Sequence, residues 1–163
     1  MFDAYGRDIH YLRLSVTDLC SLRCRYCMPE GVPKLAHGDI LTYEEFLRLA
    51  ALFARCGVDT VRVTGGEPLV RPGVEQLVAG LKATPGIRKV TMTTNGVRLA
   101  EKLPALLAAG LDSVNISLDT LDAETFRRIT ARDELAHVLE GIRAALASGI
   151  PVKLNCVPQA GVN

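Results

Sequence analysis

The sequence predicts an α/β fold, a parallel sheet curling into a partial (β/α) TIM-like barrel with about five strands. Three observations lead there. A unit of helix, glycine and short alternating strand recurs along the chain. Each strand has a polar face as well as an apolar one, whereas the strands of a doubly wound sheet are covered on both faces and read as continuous apolar runs. The 163 residues fall short of the ~250 that a closed eight-stranded barrel takes.

The elements follow in order. "YLRLSV" (11–16) is the first strand, with Arg13, Ser15 and Thr17 on one face. Thr42 and Glu45 form a capping box that opens a helix, and Phe46, Leu49, Ala50 and Phe53 fall on one side of it. "GVDTVRVT" (57–64) is the second strand, putting Arg62 with Thr64 and Val61 with Val63. A helix over "VEQLVAGLKA" follows Pro72, then "GIRKVTMT" (86–93) pairs Thr91 with Thr93 on the polar face. In "RLAEKLPALLAA" Pro104 predicts a broken or restarted helix. "GLDSVNIS" (110–117) groups Asn115 with Ser117, "LAHVLEGIRAALAS" is a last helix, and "GIPVKLN" (149–155) groups Lys153 with Asn155. Each glycine is placed to end the preceding helix.

Composition narrows the function. Residues 1–163 fit one domain, and 48% hydrophobic content supports a core. A net charge of +1 gives no field for nucleic acid or an anionic membrane. No apolar run approaches the ~20 residues that span a bilayer, and "MFDAYGRDIHYLR" lacks a signal-peptide core. A cytoplasmic setting is expected, where thiols stay reduced. Five cysteines, three of them clustered, then point to metal or catalysis rather than disulfides.

That cluster, "CSLRCRYC", spaces Cys20, Cys24 and Cys27 as C-x3-C-x2-C at the end of the first strand, where βα barrels carry their chemistry. Three thiolates in one loop can wrap three corners of a 4Fe–4S cluster and leave the fourth iron open. The alternative is a zinc module completed by His10 or His37. Cys56 and Cys156 read as ordinary buried thiols. In "VTGGEP" (63–68) the glycines either let backbone approach a ligand or make a tight turn, and Glu67 is placed to receive an ammonium group. Arg13, Arg62 and Lys153 share the polar face of three strands. Either Glu67 and Asp119 neutralise them, or the partner is an anion such as a polyphosphate, which suits arginine's fork.

Together these motifs resemble the radical S-adenosylmethionine (SAM) superfamily, with Tyr26 before the last cysteine. Within it, "LRLSVTDLCSLRCRYCMPEG", "VRVTGGEPLVR", "TMTTNGVRL", "VNISLDTLDAETFRRIT" and "VKLNCV" are similar to the GTP cyclases of molybdenum-cofactor biosynthesis. The resemblance implies a 4Fe–4S cluster on Cys20, Cys24 and Cys27, SAM contacts from Tyr26, Gly66 and Ser117, and GTP contacts from Arg13, Arg62, Thr93 and Lys153. It implies reductive cleavage of SAM to a 5′-deoxyadenosyl radical, hydrogen abstraction from the ribose of GTP, and attack of the sugar radical on the guanine. No catalytic residue beyond the cluster is implied. An electron donor is required and a homodimer is allowed, with no nucleic acid or membrane partner. The family's C-terminal half, with three further cysteines for a second cluster, has no counterpart here, so the chain reads as the N-terminal portion of the radical SAM core. The alternatives are a radical SAM enzyme acting on a peptide or cofactor precursor, and the zinc module.

Overall fold

Glycines 57, 86, 110 and 149 adopt left-handed φ values of +99, +94, +89 and +77°, a region open to residues without a Cβ. Three residues after each, a strand begins. Residues 4–28 and 35–163 are described by a computed structural model. They form β1 (Tyr11–Ser15), α1 (Tyr43–Arg55), β2 (Thr60–Thr64), α2 (Val74–Ala83), β3 (Lys89–Thr94), α3 (Leu99–Ala108), β4 (Ser113–Ser117), α4 (Ala123–Thr130), α5 (Leu135–Ala147) and β5 (Val152–Asn155). Short 3₁₀ turns occupy His37–Asp39 and Pro68–Val70.

Gly57 and Gly110 close Schellman caps. Gly57 N–H donates to the Ala54 carbonyl and Val58 N–H to that of Phe53, while Gly110 and Leu111 repeat the pattern on Leu107 and Leu106. Gly86 differs, because Thr84 and Pro85 stand between it and the end of α2. The residue after each glycine (Val58, Ile87, Leu111, Ile150) is buried, so each cap also fastens the strand to the core.

All five strands are parallel and lie in chain order β1-β2-β3-β4-β5. Right-handed crossovers in unbroken order place every helix on the same side, which is the geometry of a barrel wall. Val61, Val63, Val90, Met92, Val114 and Ile116 meet the helices with no exposed surface. The opposite face carries the polar register. Arg13 stands opposite Arg62, and Arg62 opposite Thr91. One level nearer the strand ends Ser15 faces Thr64, and Asn115 lies between Thr93 and Lys153.

Two elements depart from expectation. Helix α3 runs unbroken through Pro104. The proline forfeits one hydrogen bond to Ala100, but buried Leu99, Leu103 and Leu106 hold both halves against the core. Helix α4 was not foreseen; Asp122 caps it by accepting from Thr125 N–H, and its Phe126 and Ile129 are buried. No helix among the described residues is long and apolar enough to cross a membrane.

Candidate functional site

Beyond β1 the chain runs beneath the glycine pair of the next crossover. Val16 N–H bonds Thr64 O at 2.9 Å, Gly66 N–H bonds Thr17 O at 2.6 Å, and Glu67 N–H bonds Leu19 O at 2.8 Å. A Cβ on Gly65 would lie 2.6 Å from Thr17 O, and one on Gly66 only 2.4 Å from Leu19 O. The pair is glycine because the cysteine loop's own backbone occupies the space that side chains would need. Arg71 secures the same junction. Its guanidinium donates to Val16 O (2.5 Å) and Leu41 O (2.7 Å) while lying 4.3 Å from the Tyr43 ring.

The loop that follows has no regular structure and is fastened from outside. Arg23 and Arg25 donate backbone N–H groups to Thr130 O (2.9 Å) and Ile129 O (3.0 Å), carbonyls left free at the C-terminal end of α4. Asn95, at the end of β3, donates through Nδ2 to Ser21 Oγ at 3.0 Å and lies 3.6 Å from Cys20 Sγ. Cys27 and Met28 both donate N–H to Cys24 O, a turn that returns the third cysteine toward the second. The Tyr26 hydroxyl donates to Asp119 Oδ2 at 2.7 Å.

Cys20, Cys24 and Cys27 thereby line one cavity of about 220 Å³, with Asp18, Met28 and Gly66. Among the described residues no three His, Cys, Asp or Glu side chains converge on a single ion. A mononuclear zinc would need its sulfurs roughly 2.3 Å from one point. Three soft sulfur donors lining one space are the donor set that an iron–sulfur cluster takes. The zinc alternative also loses a ligand. His10 sits at the N-terminal end of β1, away from the cysteines, with Nδ1 3.6 Å from Asp59. The side chain of His37 lies outside the described residues.

Burial pushes the Cys20 thiol up, and pushes that of Cys24 to about 11 with help from Cys20, Cys27 and Asp119. These groups are therefore thiols at neutral pH, and loading a cluster onto them releases protons. Cys56 and Cys156, expected to be buried, are exposed. Cys56 is the C-cap residue of α1, and Cys156 follows β5, at one edge of the five-stranded sheet.

The residues expected to meet SAM divide between two adjacent spaces. Gly66 lines the thiol cavity, while Tyr26 and Ser117 line a smaller one of about 50 Å³ with Cys24, Asn95 and Asp119. Cys24 borders both.

On the polar face, Arg13 and Lys153 are exposed and Arg62 and Thr93 half-buried. Arg62 Nε donates to Thr91 Oγ1 at 3.1 Å, and its guanidinium lies 5.4 Å from the Tyr11 ring. None of the three cations forms an ion pair among the described residues.

Both carboxylates proposed as partners are engaged elsewhere. Glu67 is 1% exposed. Its Oε1 accepts from Leu69 N–H (3.0 Å) and Thr94 Oγ1 (2.8 Å), and its Oε2 from Asn95 N–H (2.6 Å). It ties β2 to β3 and is not turned outward for an ammonium group. Burial pushes its carboxyl upward against the pull of those donors. Asp119 is taken by Tyr26 and by Val157 N–H (2.9 Å). Asn95 and the α4 carbonyls are site residues that sequence reading missed, and Asp119 was read as a counter-charge to the cations rather than as the partner of Tyr26.

Known proteins resemble this chain in sequence and in fold. A family model described as the radical SAM superfamily matches residues 14–163. The chain is 53% identical over 165 residues to a GTP 3′,8-cyclase of Geobacter sulfurreducens, covering 100% of this chain and 51% of that protein. It is 52% identical over 163 residues to molybdenum cofactor biosynthesis protein 1 of Mus musculus, covering 99% of this chain and 26% of that one. The crystal structure of Streptococcus suis SuiB bound to S-adenosylmethionine superposes with a TM-score of 0.70 at 20% identity, over 93% of this chain and 35% of the other. The chain thus spans about half the length of the bacterial cyclase it matches.

Proposed function

The chain belongs to the radical SAM superfamily, and from that premise we propose that it is the N-terminal part of an enzyme converting GTP to 3′,8-cyclo-7,8-dihydro-GTP in molybdenum-cofactor biosynthesis. One observation carries the substrate. Arg13 and Arg62 stand side by side, with Lys153 one level nearer the mouth that the three thiols share. Unneutralised cations in that arrangement suit a triphosphate, which arginine forks grip in bidentate fashion.

Cys20, Cys24 and Cys27 would hold a 4Fe–4S cluster and leave its fourth iron for SAM, whose cleavage supplies the radical that removes a hydrogen from the nucleotide. The chain's own side chains bind and orient. Gly66, Tyr26 and Ser117 contact SAM, while Arg13, Arg62, Thr93 and Lys153 hold GTP so that its ribose faces the cluster. Holding the reacting carbon near the radical source is the protein's chief contribution, because orientation alone can supply ~7–11 kcal/mol of a barrier. The reading includes an external electron donor, a cytoplasmic setting and, where two copies associate, a homodimer.

Anaerobic reconstitution with iron and sulfide tests the cluster. A brown protein is expected whose low-temperature electron spin resonance changes on adding SAM; a colourless or SAM-insensitive protein rejects it. Calorimetric titration with GTP tests the substrate. Charge-removing substitutions at Arg13, Arg62 and Lys153 should each weaken binding, and unaltered affinity in all three rejects the nucleotide.

A further inference from the structure

Asp119, two residues beyond β4, is a meeting point for the cysteine loop and the chain beyond β5, and the functions above give it no role. Its Oδ2 accepts from the Tyr26 hydroxyl at 2.7 Å and its Oδ1 from Val157 N–H at 2.9 Å. Its backbone carbonyl accepts from Asn163 Nδ2 at 2.8 Å, with Cys156 Sγ at 3.6 Å. One carboxylate therefore joins the cysteine loop to the chain that follows β5.

The fastening of the loop is uneven. Residues 19–25 are tied to the barrel through Glu67, Asn95 and the end of α4. Past that point, among the described residues, the Cys27 and Met28 N–H groups bond back to Cys24, and Met28 Sδ lies 3.9 Å from Arg23, within the loop itself. Among the described residues, the Tyr26–Asp119 hydrogen bond is the one such link between residues 26–28 and the barrel. Tyr26 is 47% exposed, so packing alone does not fix its ring. A hydrogen bond to a charged acceptor is the stronger kind, and here it sets where Cys27 stands relative to Cys20 and Cys24.

We propose that Asp119 is a positioning residue that acts through Tyr26, holding the distal end of the cysteine loop so that a bound cluster presents its open corner to SAM. The inference rests on the radical SAM reading and deepens it. Asp119 makes no hydrogen bond to Cys20, Cys24 or Cys27 among the described residues; its effect on them is transmitted by one phenol.

The test compares Asp119→Asn, Tyr26→Phe and the double variant in the full-length, anaerobically loaded protein. The readouts are melting of the unloaded protein, the spin-resonance line shape of the reduced cluster, and its response to titrated SAM. Each single variant is expected to melt as the parent does, to show a broadened line shape, and to need about tenfold more SAM for half the spectral change, the scale of one charge-assisted hydrogen bond. The double variant should be no worse than Tyr26→Phe alone, because Asp119→Asn acts through the same contact by removing its charge. Additive losses, or single variants with the parent's titration, overturn the proposal. Should Asp119→Asn fail to fold, Tyr26→Phe decides alone through the line shape of the reduced cluster before SAM is added: a broadened line supports the proposal and the parent's line shape overturns it. If the parent itself shows no SAM response, the superfamily reading has failed and not this inference.

Discussion

Arg13 on β1 lies directly opposite Arg62 on β2, two cations at one level of a parallel pair, with no ion pair to either among the described residues. Like charges opposed across a ladder are destabilising, by up to ~1 kcal/mol where solvent screens little and less where it screens well. Arg62 has fold contacts in Thr91 and the Tyr11 ring, so Arg13 is the member of the pair whose replacement tests the proposed anion site.

Replacing Arg13 by Ala should therefore separate stability from affinity. The unliganded protein is expected to melt at the parent's temperature or slightly higher, while GTP binding weakens about tenfold or more, the loss shrinking as salt screens the contact. Melting curves and calorimetric titrations at low and high salt check this. If stability and affinity fall together, Arg13 belongs to the scaffold.

Two glycine substitutions should fail for different reasons. Gly149 has φ +77° and nothing within 4 Å of an added Cβ, so Gly149→Ala costs only backbone strain, ~1 kcal/mol, and leaves cluster loading intact. At Gly66 the added atom would meet two backbone carbonyls, Leu19 O at 2.4 Å and Asp18 O at 2.7 Å. Backbone cannot rotate aside as a side chain can, so Gly66→Ala should displace the cysteine loop and lower iron content per chain. Denaturant melts paired with iron analysis distinguish the two, and equal iron content in both variants would contradict the packing account.

What the sequence revealed, and what it hid, follows from the range of each interaction. Strand register was legible because alternation is local, so Arg62 and Thr64, or Thr91 and Thr93, could be grouped without knowing their neighbours. Gly57 and Gly110 were legible because a left-handed cap leaves a residue-type mark. The cysteines were legible as a spacing. Asn95 and Asp119 were not, because their partners lie 74 and 93 residues away in the chain, and neither periodicity nor spacing encodes a contact of that range. Pro104 misled because its local cost is outweighed by burial of Leu103 and Leu106 on either side. Cys56 and Cys156 misled because small apolar residues are usually inside, whereas these two sit at a helix cap and beyond an edge strand.

The raised thiols give the unloaded fold an alkaline weakness. Cys24 moves from an ordinary 9.0 to about 11, chiefly through burial. A group whose folded value lies above its unfolded one stabilises fully below the unfolded value, and that support is lost as pH rises through the folded one. Stability of the unloaded protein should hold to about pH 9 and decline toward pH 11, and Cys24→Ser should flatten the decline. Urea titrations across that window check it, and identical slopes in parent and variant would remove Cys24 as the cause.

Glu67 offers the sharpest separation of fold from chemistry. Its carboxylate has no donor of its own and meets three, the N–H groups of Leu69 and Asn95 and the hydroxyl of Thr94. Glutamine has nearly the same shape but one of its two positions is a donor. Pointed at Asn95, its amide faces a backbone N–H; flipped, it faces that of Leu69. The Thr94 hydroxyl can rotate away, yet one backbone N–H is left unpaired in a position 1% exposed. An orphaned buried donor costs ~1–3 kcal/mol, so Glu67→Gln should lower the urea midpoint by that measure. Because Asn95 also holds Ser21 at 3.0 Å beside Cys20, loosening its backbone should slow cluster loading as well. A glutamine variant with the parent's midpoint would mean that Glu67 is held protonated by burial, and that its proton is already donated to the Thr94 hydroxyl oxygen.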